Sequence, residues 1–130
     1  MKRRVWLATR DVIAFHGEQI AQFGGQAGLR DKPLLESALA RPRNREAYTG
    51  ADDFAIAAAY AFGIAKNHPF YDGNKRTALV CAFVFLDLNG WKIEVSEEDA
   101  VVMFTGLADG KITEKSLAEW LRASCDQEKA

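Results

Sequence analysis

The chain has 130 residues and a formal net charge of −1, with 48% hydrophobic and 27% charged residues. That is the make-up of one globular domain, residues 1–130, with room for one core, and its near-neutral balance speaks against a general nucleic-acid binder. The longest apolar run is nine residues against the roughly 18 a membrane span needs, no signal-like run follows the basic Met1–Arg4, and Cys81 and Cys125 are too few and too far apart for a disulfide framework or a zinc cluster, so a reducing cytosol is the expected compartment.

In chain order, Val5-Trp6-Leu7 is a short apolar piece that suits a strand. Thr9 can cap a helix to about Phe23, which Gly24-Gly25 stops. Asp31 caps a second helix, with Pro33 in its first turn, Leu34, Leu35, Ala38 and Leu39 on one face, and Pro42 past its end. Arg43 to Asp52 has no clear period and reads as a loop. Arg41, Arg43 and Arg45 form a small basic cluster there, and the loop is either solvated surface or a flap that contacts a partner or substrate.

Asp52 or Asp53 caps a third helix that ends at about Asn67, because Pro69 biases His68 away from helical geometry. A fourth helix starts near Asn74 or Lys75 and stops at Asn89-Gly90. Ten of the twelve residues from Thr77 to Leu88 are apolar, so this helix is expected to be the buried central post. Trp91, Ile93 and Val95 alternate with Lys92 and Glu94 as in a strand, with Val5–Leu7 as its candidate partner in a two-stranded ribbon. Ser96-Glu97-Glu98-Asp99 opens a fifth helix to about Asp109. Thr113 caps a last one carrying Leu117, Trp120 and Leu121, and the polar tail from Ser124 is expected to fray. The sum is an all-α fold of about six helices with a small ribbon at most.

The chemistry concentrates in His68-Pro69-Phe70-Tyr71-Asp72-Gly73-Asn74-Lys75-Arg76. A helix N-terminus carries unpartnered N–H groups and the positive end of the dipole, which suits a phosphate. Gly73 allows close backbone approach, so Gly73, Asn74, Lys75 and Arg76 can present successive amides to an anion. Lys75 and Arg76 add full positive charges. Asp72 fits beside an anion only if it holds Mg2+, which carboxylates and phosphates share. His68 can take a proton from an incoming hydroxyl if the loop curls back. Phe70 is the apolar anchor of the loop. Singly, each polar residue is better explained by a turn or by surface; it is their convergence on one helix start that points to transfer of a phosphate-containing group from a nucleotide.

This stretch closely resembles the Fic/Doc family motif H-P-F-x-[DE]-G-N-[GK]-R. Gly24-Gly25, Gly28-Leu29-Arg30-Asp31 and the run Leu34–Leu39 resemble its death-on-curing (Doc) branch. The resemblance implies the compact Fic fold, with His68 as general base, Asp72 as Mg2+ ligand, Gly73, Asn74 and Lys75 as the anion-binding turn, and Arg76 as the phosphate-binding arginine. Adenylyl-transferring members usually carry Gly where Lys75 stands and a second Arg where Leu79 stands. Doc-like members instead bind ATP turned end for end and act as protein kinases. The implied function is therefore a toxin of a toxin–antitoxin system that moves the ATP γ-phosphate to a Ser/Thr hydroxyl of a translation factor, elongation factor Tu foremost, and so inhibits translation. AMP transfer is the alternative. A binding module without turnover, a hydrolase and a phosphocholine transferase stay open. A Phd-type antitoxin is the implied partner, and residues 43–52 lie where the family keeps a target-docking flap. The inhibitory [ST]-x-x-x-E-[GN] spacing recurs at Ser124–Glu128, but Lys129 replaces its last residue and the match reads as coincidence.

Overall fold

The computed structural model describes residues 3–127. Six helices follow one another: α1 (Thr9–Phe23), α2 (Lys32–Thr49), α3 (Asp53–Asn67), α4 (Asn74–Leu88), α5 (Glu97–Ala108) and α6 (Glu114–Ser124). A two-stranded antiparallel ribbon joins β1 (Trp91–Ile93) to β2 (Cys125–Gln127). The all-α fold read from the sequence is the fold observed.

Most helix starts are set by the expected caps. Asp31 accepts from the Leu34 N–H at 3.0 Å, Asp52 from Ala55 at 2.9 Å, Ser96 from Asp99 at 3.1 Å and Thr113 from Ser116 at 3.0 Å. Of the two candidates for α3, Asp52 is the cap. Asp53 is buried, and its carboxylate takes the Arg4 guanidinium at 2.6 Å and the Trp91 indole N–H at 2.8 Å. Thr9 is not the cap of α1. Ala8 holds that position, and the Asp11 carboxylate accepts the Ala8 N–H at 2.8 Å, since alanine has no acceptor of its own.

Four further expectations need correction. First, α2 runs through Pro42 to Thr49, so Arg43–Thr49 is helix and only residues 50–52 connect it to α3. Proline removes the N–H that would meet the Ala38 carbonyl. Gly63 of α3 packs against that backbone so closely that a Cβ there would lie 3.0 Å from the Ala38 oxygen. The expected periodicity is missing because guanidinium groups, not apolar side chains, cover this face. Arg41 and Arg45 pair with Glu114 at the start of α6, and Arg43 lies over the Trp6 ring at 4.5 Å.

Second, β1 pairs with residues 125–127, not with Val5–Leu7. The Asn89 side chain supplies what a strand partner would have given Val5: its Oδ1 accepts the Val5 N–H at 2.9 Å and its Nδ2 donates to the Val5 carbonyl at 3.0 Å. Leu7 N–H donates to the Tyr60 hydroxyl at 3.0 Å. Third, the start of the tail does not fray, because Cys125–Gln127 is β2; Glu128 and Lys129 of the coincidental inhibitory spacing lie outside the described residues. Fourth, the most enclosed helix is α3, not α4. Eleven residues of α3 are buried, among them five alanines and Gly63 that let α2 and α4 approach closely on its two sides. In α4, Asp87 and Leu88 are exposed and Leu79, Val80, Phe83 and Val84 are only half-buried. The nine-residue apolar run thus leaves part of one face to line clefts.

Ile56, Tyr60 and Ile64 of α3 meet Ala78, Cys81, Phe85 and Leu86 of α4, Leu107 of α5 and Leu117 and Leu121 of α6 in one buried cluster. Among the described residues, no helix is long and apolar enough to cross a membrane.

Candidate active site

The loop from His68 to Gly73 joins the two central helices, so its ends are fixed by the core. His68 closes α3 in the left-handed region (φ 50°), and its N–H donates to Ile64. Its carbonyl accepts from Arg30 Nε at 2.7 Å, while another guanidinium nitrogen of Arg30 reaches the Asn67 carbonyl at 3.1 Å. A cation therefore sits at the negative end of α3 and holds His68 in place. The imidazole itself is exposed.

Phe70 anchors the loop as expected and is 1% exposed. Asn74, at the first position of α4, reaches back to it. Its Oδ1 accepts the Phe70 N–H at 3.1 Å and its Nδ2 donates to the Phe70 carbonyl at 2.9 Å. Those two bonds decide which way the amide faces, so Nδ2 is also the group that lies 3.3 Å from His68 Nδ1. In this arrangement Nδ1 accepts, and the neutral ring carries its proton on Nε2.

The segment 24–31 lies alongside the loop like a second strand. Leu29 bridges Phe70, Tyr71 N–H donates to the Gly28 carbonyl, and Arg30 and Asp31 N–H both donate to the Pro69 carbonyl, at 2.7 and 3.0 Å. Asp72 is exposed, and its carboxylate takes two backbone donors, Gln26 at 3.2 Å and Gly73 at 3.0 Å. These two hydrogen bonds, first Gln26 and then Gly73, hold its pKa below the usual carboxylate range, with Arg76 and His16 adding to the effect. Gly25 is required where it stands: with φ +117°, a Cβ there would lie 2.9 Å from Asp72 Oδ2.

Gly73 caps α4 at φ 73°, a conformation an L side chain resists. Its carbonyl receives the Thr77 N–H at 3.0 Å and the Thr77 hydroxyl at 2.8 Å. The Gly73 N–H is turned to Asp72, so it does not join the row of free amides expected from the sequence. The first-turn amides that remain without a helical acceptor are those of Asn74, Lys75 and Arg76. Lys75 is exposed. Arg76 is half-buried, donates to the Gly24 carbonyl at 3.1 Å and lies over the Phe23 ring at 5.1 Å.

His68, Asp72, Gly73, Asn74, Lys75 and Arg76 thus line one cleft of about 550 Å³. Its far wall is α5, through Val101, Phe104, Thr105 and Ala108, and the residue that caps it, Asp109, with Leu79 between. The sequence reading missed this wall, because α5 carries no motif and only the fold brings it opposite α4. It also missed Arg30 as a clamp and His16, which is buried against the loop. None of residues 43–52 lines this cleft; Arg45, Tyr48 and Thr49 instead line a separate groove between α2 and α3.

The residues fit a nucleotide phosphate held with Mg2+. The cleft offers one ionised carboxylate beside a helix N-terminus and two cationic side chains, and Mg2+ is commonly held by one or two carboxylates plus substrate phosphates. Among the described residues no group of three or more His, Cys, Asp or Glu side chains could form an all-protein cage.

Known proteins similar to this chain identify its family. The chain is 37% identical over 117 residues to "Protein kinase doc" of Escherichia phage P1, spanning 89% of this chain and 92% of that one. It is 44% identical over 72 residues to "Toxin Doc" of Mycolicibacterium smegmatis, spanning 52% of this chain and 54% of that one. Residues 6–86, which hold α1 to α3, the whole loop and α4 as far as Leu86, match the Fic/DOC family, and the chain belongs to it.

Proposed function

We propose that the chain is a Doc-type toxin, a protein kinase that transfers the γ-phosphate of ATP to a Ser/Thr hydroxyl of a translation factor, with elongation factor Tu the foremost target. The observation that carries this reading is the α4 N-terminus, where Lys75 and Leu79 stand in place of the Gly and second Arg of adenylyl-transferring relatives, in a chain 37% identical to a protein named as a kinase.

The polyphosphate lies over the first turn of α4, on the amides of Asn74, Lys75 and Arg76, and the two cationic side chains oppose its charge. Asp72 would hold Mg2+, and the ion, when bound, would neutralise negative charge that develops on the phosphate. The acceptor hydroxyl enters beside His68 and passes its proton to Nε2. Its oxygen bonds to the γ-phosphorus, the bond from that phosphorus to the β–γ bridging oxygen breaks, and ADP leaves. For Nε2 to accept, the ring proton must sit on Nδ1, so the 3.3 Å contact with Asn74 opens as the hydroxyl arrives. Arg76 releases the Gly24 carbonyl when it grips the transferring group. A Phd-type antitoxin, added in trans, is the proposed brake in the cytoplasm.

Induction of the chain in cells, followed by mass spectrometry of cell proteins, tests the reading. A Ser or Thr gaining one phosphate, with translation arrested, is expected. A gain of one nucleotide instead would establish AMP transfer, which the otherwise intact motif also suits.

A further inference from the structure

His16 is a buried group for which the proposed chemistry has no use. It lies on α1, is 4% exposed, and its Nε2 is 2.7 Å from the carbonyl oxygen of Asp72. A carbonyl only accepts, so Nε2 carries the hydrogen. The ring stacks on Phe70 with centroids 3.9 Å apart and planes 6° from parallel. Phe70 is in turn held by Asn74, so the ring rests on the most fixed part of the loop.

We propose that His16 is a positioning residue for the anion-binding turn: its Nε2–H holds the Asp72 carbonyl beneath the loop and thereby keeps that carbonyl out of the phosphate cleft. The Asp72 carbonyl and the Gly73 N–H belong to one rigid peptide plane, so fixing one fixes the other. With the carbonyl down, the N–H points the opposite way and meets Asp72 Oδ1 at 3.0 Å. That bond helps place the carboxylate proposed to share Mg2+. Gly73 makes the arrangement reversible, since glycine tolerates a rotation of this plane that other residues resist. A rotated plane would aim a carbonyl dipole at the phosphates, where donors are needed. His16 removes that alternative by giving the carbonyl a donor only in the observed orientation.

The inference rests on the reading of the cleft as a nucleotide phosphate site, and the experiment separates the two. Two substitutions in the full chain divide the ring's roles. His16→Phe keeps the stacking and loses the donor; His16→Gln keeps a donor at a similar reach and loses the ring. The readouts are the Gly73 amide signal in nuclear magnetic resonance without ligand, ATP–Mg2+ affinity by calorimetry, and the melting temperature. In His16→Phe the Gly73 signal is expected to move and ATP–Mg2+ affinity to fall by about tenfold or more, the scale of a lost favourable contact to a charged ligand. His16→Gln is expected to keep the Gly73 signal and most of the affinity. Wild-type signal and affinity in His16→Phe would overturn the inference, and so would equal losses in both variants, which would mark the ring as packing alone. A wild-type chain that binds no ATP–Mg2+, yet whose Gly73 signal moves only in His16→Phe, would sink the nucleotide reading and leave the role of His16 standing. Nitrogen spectra of the unsubstituted protein give a readout that needs no variant: Nε2 is expected to be the protonated ring nitrogen of His16, and an Nδ1–H tautomer would overturn the proposal.

Discussion

Asn74→Ala removes the side chain that ties the two ends of the loop together. In the wild type that amide pairs with both backbone groups of Phe70, at 3.1 and 2.9 Å, and Phe70 is too deeply buried for water to replace it. Each buried backbone group left unpaired costs about 1–3 kcal/mol, so the pair costs about 2–6 kcal/mol. For a chain of this size roughly 3–5 °C of melting temperature follows each kcal/mol, so a fall of about 6 °C or more is expected. His68→Ala is the contrast. Its imidazole is exposed and makes one long contact, so the loss should stay within about 1 kcal/mol while phosphoryl transfer is abolished. Urea unfolding followed by circular dichroism measures both. Asn74→Ala within about 0.5 kcal/mol of wild type, the range of an ordinary surface change, would refute the reasoning that the amide closes the loop.

Three other outcomes are expected. Asp72 has a folded-state pKa below its unfolded value, so its stabilising contribution is present above the unfolded pKa and lost as pH falls through the lower, folded one. The stability gap between wild type and Asp72→Asn should therefore hold at neutral pH and narrow only in the acid range, and a gap that does not change with pH would contradict this. Burial pushes the Tyr60 hydroxyl up to about 12, and that hydroxyl receives the Leu7 N–H, so Tyr60→Phe leaves a buried donor unpaired and should cost about 1–3 kcal/mol in chemical unfolding. Gly25→Ala forces a Cβ against Asp72 Oδ2 at a positive φ, with a backbone cost of about 1–2 kcal/mol. It should also weaken ATP–Mg2+ binding in calorimetry, and unchanged affinity would show that Asp72 is free to move aside.

The loop and its flanking helices were legible because local rules agree there. Pro69 ends α3, Gly73 marks a turn, and an apolar run follows at once. The second half of α2 was not legible, since Pro42 signals a stop and Arg41, Arg43 and Arg45 signal surface. The fold uses those arginines as packing through Glu114 and Trp6, partners distant in sequence. The ribbon failed for a related reason. Alternation in Trp91–Val95 shows a strand but not its mate, and Asn89 satisfies Val5 with a side chain. Within the site, the charged residues announced themselves by clustering. His16 and Arg30 did not, because each acts on the loop from another part of the chain, through hydrogen bonds to the carbonyls of Asp72 and His68.

The central claim is that the α4 N-terminus presents the γ-phosphate of ATP, and not the α-phosphate, to a hydroxyl activated by His68. Purified chain incubated with elongation factor Tu, Mg2+ and ATP labelled on either the γ- or the α-phosphate tests it most directly. Label passing to the target from γ-labelled ATP alone, and none with His68→Ala, is the predicted result; label arriving only from α-labelled ATP would contradict the account.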